Sequence, residues 1–183
     1  MLKKLLAQVR IHPLHRRLQQ EPYYRFRSVE ELQLAASWGI VIDANMATID
    51  EWLRLPGISI HQARCLSQLT QRGLAFNCIE DVAAALGMPL QQISPWQVVL
   101  QFCYYGSGDI AEGSAEGRLE PVAIAINTAS AEQLVAVPAI DIFLARAIIH
   151  YRQFGPYQDL ADLQDRLRLT AQITAELLHY LRF

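Results

Sequence analysis

The stretch IAINTASAEQLVAVPAIDIFLARAIIHY (124–151) is the key to the fold, because its pattern also occurs in IDANMATIDEWLRLPGISIHQARCLSQL (42–69). Aligning Asn45 with Asn127 keeps the apolar, proline and polar capping positions of the two stretches in step. The matched pairs are Thr48 and Ser130, Trp52 and Leu134, Leu53 and Val135, Pro56 and Pro138, Ile58 and Ile140, Ala63 and Ala145, Arg64 and Arg146, and Leu66 and Ile148. Agreement at so many positions indicates an internal repeat.

Each copy of the repeat predicts a helix, a tight turn and a second helix. Thr48 with Glu51, and Ser130 with Gln133, have the spacing of a capping box at the start of the first helix. The other boundary residues are the turns Pro56-Gly57 and Pro138-Ala139, the N-caps Ser59 and Asp141, and the stop signals Gly73 and Gly155. The two copies therefore predict two hairpins of similar build.

The segments around the hairpins also have helical patterns. Ser28 and Glu31 predict another capping box, and the helix that follows it is expected to end at Gly39. Further helices are predicted over about 79–86, 89–93 and 95–104 after the first hairpin, and over about 160–167 and 171–181 after the second. No stretch of useful length alternates with a period of two, so little or no β-sheet is expected.

The second copy resembles the helix-hairpin-helix domain of the ComEA family, the DNA-binding proteins of competence. The resemblance rests on Asn127-Thr128-Ala129-Ser130, Val137-Pro138, Ala145, Ile148-Ile149 and Gly155-Pro156-Tyr157, and in the first copy on Asn45, Leu55-Pro56-Gly57-Ile58 and Ala63. The sequence is also similar to the PsbU family, extrinsic photosystem II subunits whose hairpins bind protein. These resemblances imply the hairpin fold and leave two ligand classes, DNA and protein.

The predicted fold class is all-α, with two tandem helix-hairpin-helix units, a flexible linker between them and a basic helical arm before them. The predicted boundaries are 1–27 for the basic N-terminal arm, 28–105 for the first domain, 106–121 for the linker and 122–183 for the second domain. The linker is predicted because GSGDIAEGSAEG (106–117) is acidic, rich in glycine and serine, and without apolar periodicity.

The composition is that of an ordinary globular protein, with 183 residues, 52% hydrophobic and 19% charged residues, and a net charge of −2. A surface built entirely to bind phosphate is therefore excluded. The arm is nevertheless basic, because it has one acidic residue, Glu21, against Lys3, Lys4, Arg10, Arg16, Arg17, Arg25 and Arg27. This gives residues 1–27 a net charge of +6 and the remainder −8. The arm is expected to meet anionic partners, either nucleic acid or a peripheral membrane surface.

The aromatic tract PYYRFR (22–27) at the end of the arm has three interpretations. It is suited to stacking on bases, to a lipid interface, or to covering the core of the adjoining helices. The last of these is the commonest role of such a tract. The similar cluster Phe102-Cys103-Tyr104-Tyr105 is predicted to end a helix and to belong to the core.

Several classes of function lack their sequence signals. The three cysteines form no CxxC pair, and His12 and His15 have no carboxylate or cysteine at ligand spacing, so neither a disulfide framework nor a metal site is predicted. No glycine-rich nucleotide motif or GxSxG motif occurs, so no cofactor, small-molecule substrate or enzymatic activity is expected. No apolar run approaches a membrane span and no secretory signal is recognisable, which predicts a cytoplasmic location.

The first turn, Gly57-Ile58-Ser59, retains part of a phosphate-binding hairpin. A helix N-terminus offers unpaired N–H groups to an anion, and a glycine lets the backbone approach it closely. The candidate nucleic-acid-binding residues are Arg54, Gly57, Ile58, Ser59, His61 and Arg64. The alternative is that Gly57 only ends a helix and that the basic side chains are solvated.

The second turn, Ala139-Ile140-Asp141, has lost both glycines, and Asp141 places a negative charge where a phosphate would lie. Phe143 is expected to pack against another helix of the same chain. The alternative is a protein-interaction site formed by Asp141, Ile142 and Phe143. Two functions follow: a non-catalytic scaffold for an unidentified protein partner, or weak, sequence-independent duplex DNA binding by the first hairpin. The acidic body and Asp141 favour the scaffold.

Overall fold

The computed structural model describes residues 13–103 and 123–183. Lys3, Lys4, Arg10 and His12 of the predicted arm lie outside the described residues, and so do Tyr104, Tyr105 and the predicted linker 106–121. The described part is mainly helical, which confirms the all-α fold class.

The helices of the described ranges are α1 (Pro13–Gln20), α2 (Val29–Ser37), α3 (Ile49–Trp52), α4 (Ile60–Gln71), α5 (Ile79–Leu86), α6 (Leu90–Ile93), α7 (Ala131–Val135), α8 (Ile142–Tyr151), α9 (Leu160–Leu167) and α10 (Ala171–Leu177). Short 3-10 helices span Ser94–Val98 and Arg152–Phe154. The strands are β1 (Ile42–Asp43), β2 (Leu100–Gln101), β3 (Ile124–Ala125) and β4 (Leu181–Arg182).

The repeat extends beyond the hairpins to whole units. The first unit runs β1-α3-α4-α5-α6-β2, and the second runs β3-α7-α8-α9-α10-β4. In each unit the two strands pair in parallel, Ile42 opposite Leu100 and Ile124 opposite Leu181. Each unit is therefore closed by its own first and last residues, and the expectation of little β-sheet is confirmed.

Most helix starts follow from local capping. The side chains of Thr48, Ser59 and Ser130 each accept a hydrogen bond from the backbone amide of the third helical residue. The side chain of that third residue in turn accepts a bond from the backbone amide of the cap. Ser28 caps α2 in the same way, accepting from the Glu31 amide, but the Glu31 carboxylate accepts from the Arg27 amide at 2.8 Å instead of completing a capping box. These helices need no tertiary contact to define where they begin.

Two predicted helices are wrong in extent. The predicted helix over 95–104 is a 3-10 helix over Ser94–Val98 followed by β2, because the backbone of this segment pairs with β1. The Ile42 amide donates to the Val99 carbonyl at 2.7 Å, and the Ala44 amide donates to the Gln101 carbonyl at 2.8 Å. Likewise α10 ends at Leu177 because the chain then enters β4. Such long-range pairing leaves no mark in a local pattern.

The asparagines that anchor the alignment have the same structural role in both units. The Asn45 side chain accepts from the Phe76 amide at 2.7 Å and donates to the Phe76 and Cys103 carbonyls, each at 2.9 Å. Asn127 accepts from the Tyr157 amide at 2.7 Å and donates to the Tyr157 carbonyl at 2.9 Å. Each asparagine thus ties the start of its unit to the residues before α5 or α9.

The described part of the basic arm packs on the first unit. Leu14, Tyr24 and Phe26 are buried, whereas Tyr23 is 60% exposed. The tract PYYRFR therefore covers the core of the adjoining helices, as its commonest interpretation holds. Its backbone is also fixed, because the Phe26 amide donates to the Arg54 carbonyl at 2.8 Å.

The two units pack against each other through α4 and α9. Arg72, just after α4, forms an ion pair with Asp165 at 2.6 Å and donates to the Ala161 carbonyl at 2.9 Å. A second contact joins α5 to the segment after α10, where the His179 Nε2 lies 3.0 Å from the buried Asp81 carboxylate. These polar contacts fix the orientation of the two units because each is directional.

Candidate functional site

The tip of the first hairpin lies between α3 and α4 and is open to solvent. Gly57 has φ +84°, and a Cβ added there would meet nothing within 4 Å. Gly57 and Ser59 are exposed, while Ile58 is half-buried against the core. Because the Ser59 hydroxyl already caps the Gln62 amide at 3.2 Å, it is engaged in the helix start. Glycine here provides a turn that a side chain would strain.

Arg54 is held differently from the other candidate residues of this tip. Its guanidinium lies 5.3 Å from the centre of the Phe26 ring, a cation–π contact. Burial of this group lowers its pKa, and the buried Nε has no hydrogen-bond partner. Arg54 is therefore directed at the arm. His61 and Arg64, in contrast, are exposed on the first turns of α4.

The arm brings additional positive charge close to the first hairpin. Arg25 and Arg27 are exposed on either side of buried Phe26, whose amide bonds to Arg54 just before the turn. Arg16 and Arg17 are exposed on α1. In the sequence the arm and the hairpin are separate features. The arm lies beside the hairpin because of a contact between residues far apart in the sequence. The aromatic tract PYYRFR was the one sequence feature that indicated packing of the arm on the adjoining helices.

The tip of the second hairpin keeps the backbone of the first without its glycine. Ala139 has φ +67°, in the left-handed region that costs a side chain about 1–2 kcal/mol. Asp141 caps α8 by accepting from the Leu144 amide at 2.7 Å, and it is exposed. The predicted N-cap role of Asp141 is therefore confirmed, and its charge lies at the tip.

The interpretation that Phe143 packs within the chain is wrong. Phe143 is 75% exposed and its neighbour Ile142 is 43% exposed. The reason is helical phase: α8 buries Ala145 and Ile148, and residues two positions apart on a helix do not share a face. The second tip therefore presents an apolar surface beside a carboxylate.

Within the described ranges, possible metal ligands do not cluster, and two of the cysteines have raised pKa values. No group of three or more His, Cys, Asp and Glu side chains in these ranges is placed to hold a metal ion. Burial raises the pKa of the Cys65 thiol to about 12 and that of Cys78 to about 11, so neither is a thiolate at neutral pH. None of the helices within 13–103 and 123–183 is long and apolar enough to cross a membrane.

Comparison with known families identifies the second unit. Residues 120–182 match the model of the helix-hairpin-helix motif. The second unit is therefore similar to this motif. The first unit repeats the same elements in the same order, and the sequence match lies in the second unit.

The curated relatives are longer proteins. Endonuclease/exonuclease/phosphatase family domain-containing protein 1 of Rattus norvegicus and of Homo sapiens are each 27% identical over 140 residues, covering 67% of this chain and 24% of the relative. The Danio rerio protein of the same name is 26% identical over 149 residues, covering 78% of this chain and 26% of the relative. This chain thus spans about a quarter of the length of these relatives. No solved structure matches.

Proposed function

We propose that this protein is a non-catalytic helix-hairpin-helix scaffold that binds another protein through the tip of its second hairpin. The observation that carries the proposal is the 75% exposure of Phe143 at that tip. Ile142 beside it is also exposed, and exposed aromatic and aliphatic side chains at a protruding tip are typical anchors of protein interfaces.

The chemistry of the tip supports a protein ligand over nucleic acid. Asp141 would repel a phosphate, and the left-handed turn residue is Ala139 instead of glycine, so the backbone approaches less closely. The resemblance to the PsbU family, whose hairpins bind protein, agrees with this function. A partner with an apolar pocket and a basic residue at its rim would match Phe143 and Asp141.

Site-specific photo-crosslinking from position 143 tests the proposal. A benzophenone amino acid in place of Phe143 should give one discrete protein adduct in cells of the source organism, and Ile142→Ser should reduce it. The same amino acid in place of Gln172, exposed on α10, is the matched control. Absence of an adduct from position 143, or equal adducts from both positions, would contradict the proposed tip.

Duplex DNA binding by the first hairpin is a second candidate, in line with the ComEA resemblance. The observation that favours it is the hydrogen bond from the Phe26 amide to the Arg54 carbonyl, three residues before the open Gly57 turn. Arg25 and Arg27, on either side of Phe26, are both exposed. His61 and Arg64 are exposed on α4, which begins just after the same turn. Binding of this type would be independent of base sequence, because the contacts are to phosphate.

A titration of labelled duplex DNA at low and at physiological salt tests this candidate. We expect micromolar affinity that falls steeply with salt. Gly57→Asp should weaken binding strongly, whereas Ala139→Asp, at a turn of the same backbone conformation, should not. No binding even at low salt would exclude DNA, and equal losses in both variants would show that the two tips are not distinct.

The remaining functional expectations concern location. A cytoplasmic location and a peripheral membrane contact through the arm stay predictions. Flotation with anionic vesicles, compared between the wild type and the Arg16→Ser/Arg17→Ser variant, measures the membrane contact. We expect a decrease in the bound fraction for the variant because both arginines are exposed on α1.

A further inference from the structure

The contact between the two units is one-sided. α4 of the first unit is covered by α9 of the second, with Arg72 bonded to Asp165 and to the Ala161 carbonyl. Beside it, a Cβ added to Gly73 would lie 3.4 Å from the Ala171 Cβ. The alignment of Asn45 with Asn127 assigns the corresponding surface of the second unit to the end of α8, with Phe154 in the position of Arg72 and Gly155 in that of Gly73.

This corresponding surface is uncovered. Phe154 is 75% exposed and Tyr151 is 42% exposed, and a Cβ added to Gly155 would meet nothing within 4 Å. His150, Tyr151 and Phe154, named here the aromatic face, pack edge-on or tilted, with ring centres 5.4–6.4 Å apart. A pre-ordered aromatic cluster exposed at a repeat interface is suited to association, since its side chains lose little freedom on binding.

The other half of the same contact also has a counterpart in the first unit. Tyr157 and Phe76 bond to the paired asparagines, so these two residues can be aligned with each other. In this alignment the first unit has Ala84 at the position of Asp165, Glu80 at that of Ala161 and Leu90 at that of Ala171. Glu80, Ala84 and Leu90 line a cavity of about 510 Å³, with Met88 beside them and Leu178 and Leu181 of the second unit opposite. This surface is named here the α5 cleft.

At the positions of the ion pair, both sides of the contact have changed from charged to apolar residues. Within the chain, a cation meets a carboxylate, Arg72 against Asp165. At the uncovered positions an aromatic ring, Phe154, would meet a methyl group, Ala84, and the larger Leu90 would lie over the open Gly155. The change at these positions keeps the two surfaces complementary, because a ring buries well against alanine and leucine. Glu80, at the position of Ala161, is an exposed carboxylate of the same cleft.

We propose that the aromatic face of one copy docks into the α5 cleft of a second copy, so that copies associate head to tail. The contact is heterologous, since it joins two different surfaces, and it reproduces between chains the packing that joins the two units within one chain. It uses a surface distinct from the Phe143 tip, which lies at the other end of α8, and it does not depend on the proposed function.

Charge-introducing variants test the proposal by sedimentation velocity over about 1 μM to 1 mM protein. The wild type should show reversible, concentration-dependent association. Phe154→Arg and Ala84→Asp should each weaken it more than tenfold, because each puts a charge against an apolar surface. An equimolar mixture of the two variants should form dimers again, since the unaltered aromatic face of the Ala84→Asp chain can dock into the unaltered cleft of the Phe154→Arg chain. Thermal melting by circular dichroism verifies that each variant is folded.

Phe143→Ser is the matched control, because Phe143 and Phe154 are equally exposed, at 75%. It should leave association unchanged. Leu90→Asp should weaken association like Ala84→Asp, at a more exposed position that folding tolerates better. A wild type that stays monomeric throughout would overturn the proposal and assign the aromatic face to another partner. Equal losses from Phe143→Ser and Phe154→Arg, or a mixture that stays monomeric, would overturn it as well.

Discussion

The two hairpin tips share a backbone and differ in chemistry. Gly57 and Ala139 both have positive φ, and Ser59 and Asp141 both cap the following helix. Yet the first tip presents a glycine turn near exposed arginines, and the second presents a carboxylate and two exposed apolar side chains. The same hairpin backbone therefore accommodates either glycine or alanine at its turn, at a modest energetic cost, and the two tips expose different side chains.

A similar contrast holds for the packing faces of the units. The face of α4 is buried under α9 and uses an ion pair, while the corresponding face on α8 is aromatic and exposed. The repeat therefore places two similar folds in unlike environments. Four predictions test how far the units differ, and they are given in order of decreasing effect.

Replacing the two aligned asparagines should have the largest effect on the free energy of unfolding. Among the hydrogen bonds within 13–103 and 123–183, Asn45→Ala removes three to backbone groups, and Asn127→Ala removes two. We expect the free energy of unfolding to fall by about 3 kcal/mol for the first and about 2 kcal/mol for the second, since unpaired buried groups are costly. Urea denaturation measures both. A larger loss for Asn127→Ala would refute this ranking of the units.

Asp81 links the units and should make stability depend on acid. Burial would raise its pKa, but hydrogen bonds from His179 and the Asn77 amide and the charge of His179 outweigh burial and leave the pKa below its ordinary value. Because the folded-state pKa is depressed, the stabilisation is present above about pH 4 and is lost as pH falls through the lower folded-state value. Asp81→Asn should therefore flatten the acid limb of the stability curve and cost about 2 kcal/mol at pH 7.

Asp162→Asn is the control for this prediction. Asp162 occupies the position of Asp81 in the second unit, but it bonds within its own unit, to the Gln158 amide and to Arg166. We expect Asp162→Asn to leave unchanged the acid dependence of stability that comes from the contact of Asp81 with His179. If Asp81→Asn leaves the loss of stability at low pH unchanged, protonation of Asp81 does not weaken the contact between the units.

The ion pair between Arg72 and Asp165 should contribute less to stability than Asp81 does. Arg72→Ala removes the bond to the Ala161 carbonyl as well as the pair with Asp165, whereas Asp165→Ala removes only the pair. Since Asp165 is 66% exposed, we expect about 0.5 kcal/mol for Asp165→Ala and about 1.5 kcal/mol for Arg72→Ala. Thermal denaturation of the two variants compares them, and equal effects would mean that the carbonyl bond is not stabilising.

The turn residues should show the smallest effects, with opposite signs. Gly57→Ala puts a side chain at φ +84° and should lower stability by about 1 kcal/mol. Ala139→Gly relieves a side chain at φ +67° and should raise stability by about 0.5 kcal/mol, because the more flexible unfolded chain offsets part of the gain. Differential scanning calorimetry measures both, and a destabilising Ala139→Gly would show that this turn is not strained.

Sequence reasoning predicted the local structure well and the long-range structure in part. The caps at Thr48, Ser59, Ser130 and Asp141 and the ends of α5 and α9 agree with the patterns, because they depend on neighbours within four residues. The strands β2 and β4 and the exposure of Phe143 were missed. Both depend on which distant backbone or helix face lies opposite, and no local pattern contains that information.

The amino-acid sequence alone was sufficient to establish that the chain is helical, that two copies of one hairpin exist, and that their turns differ in glycine and charge. Periodicity, capping side chains and the repeat are local properties, so they are visible without coordinates. Three features required the tertiary structure: the arm packs beside the first hairpin, Arg72 is bonded between the units, and Phe143 and Phe154 are exposed. The reason is physical: burial depends on the contacts of the whole fold, and identical helical positions become core or surface according to what packs against them.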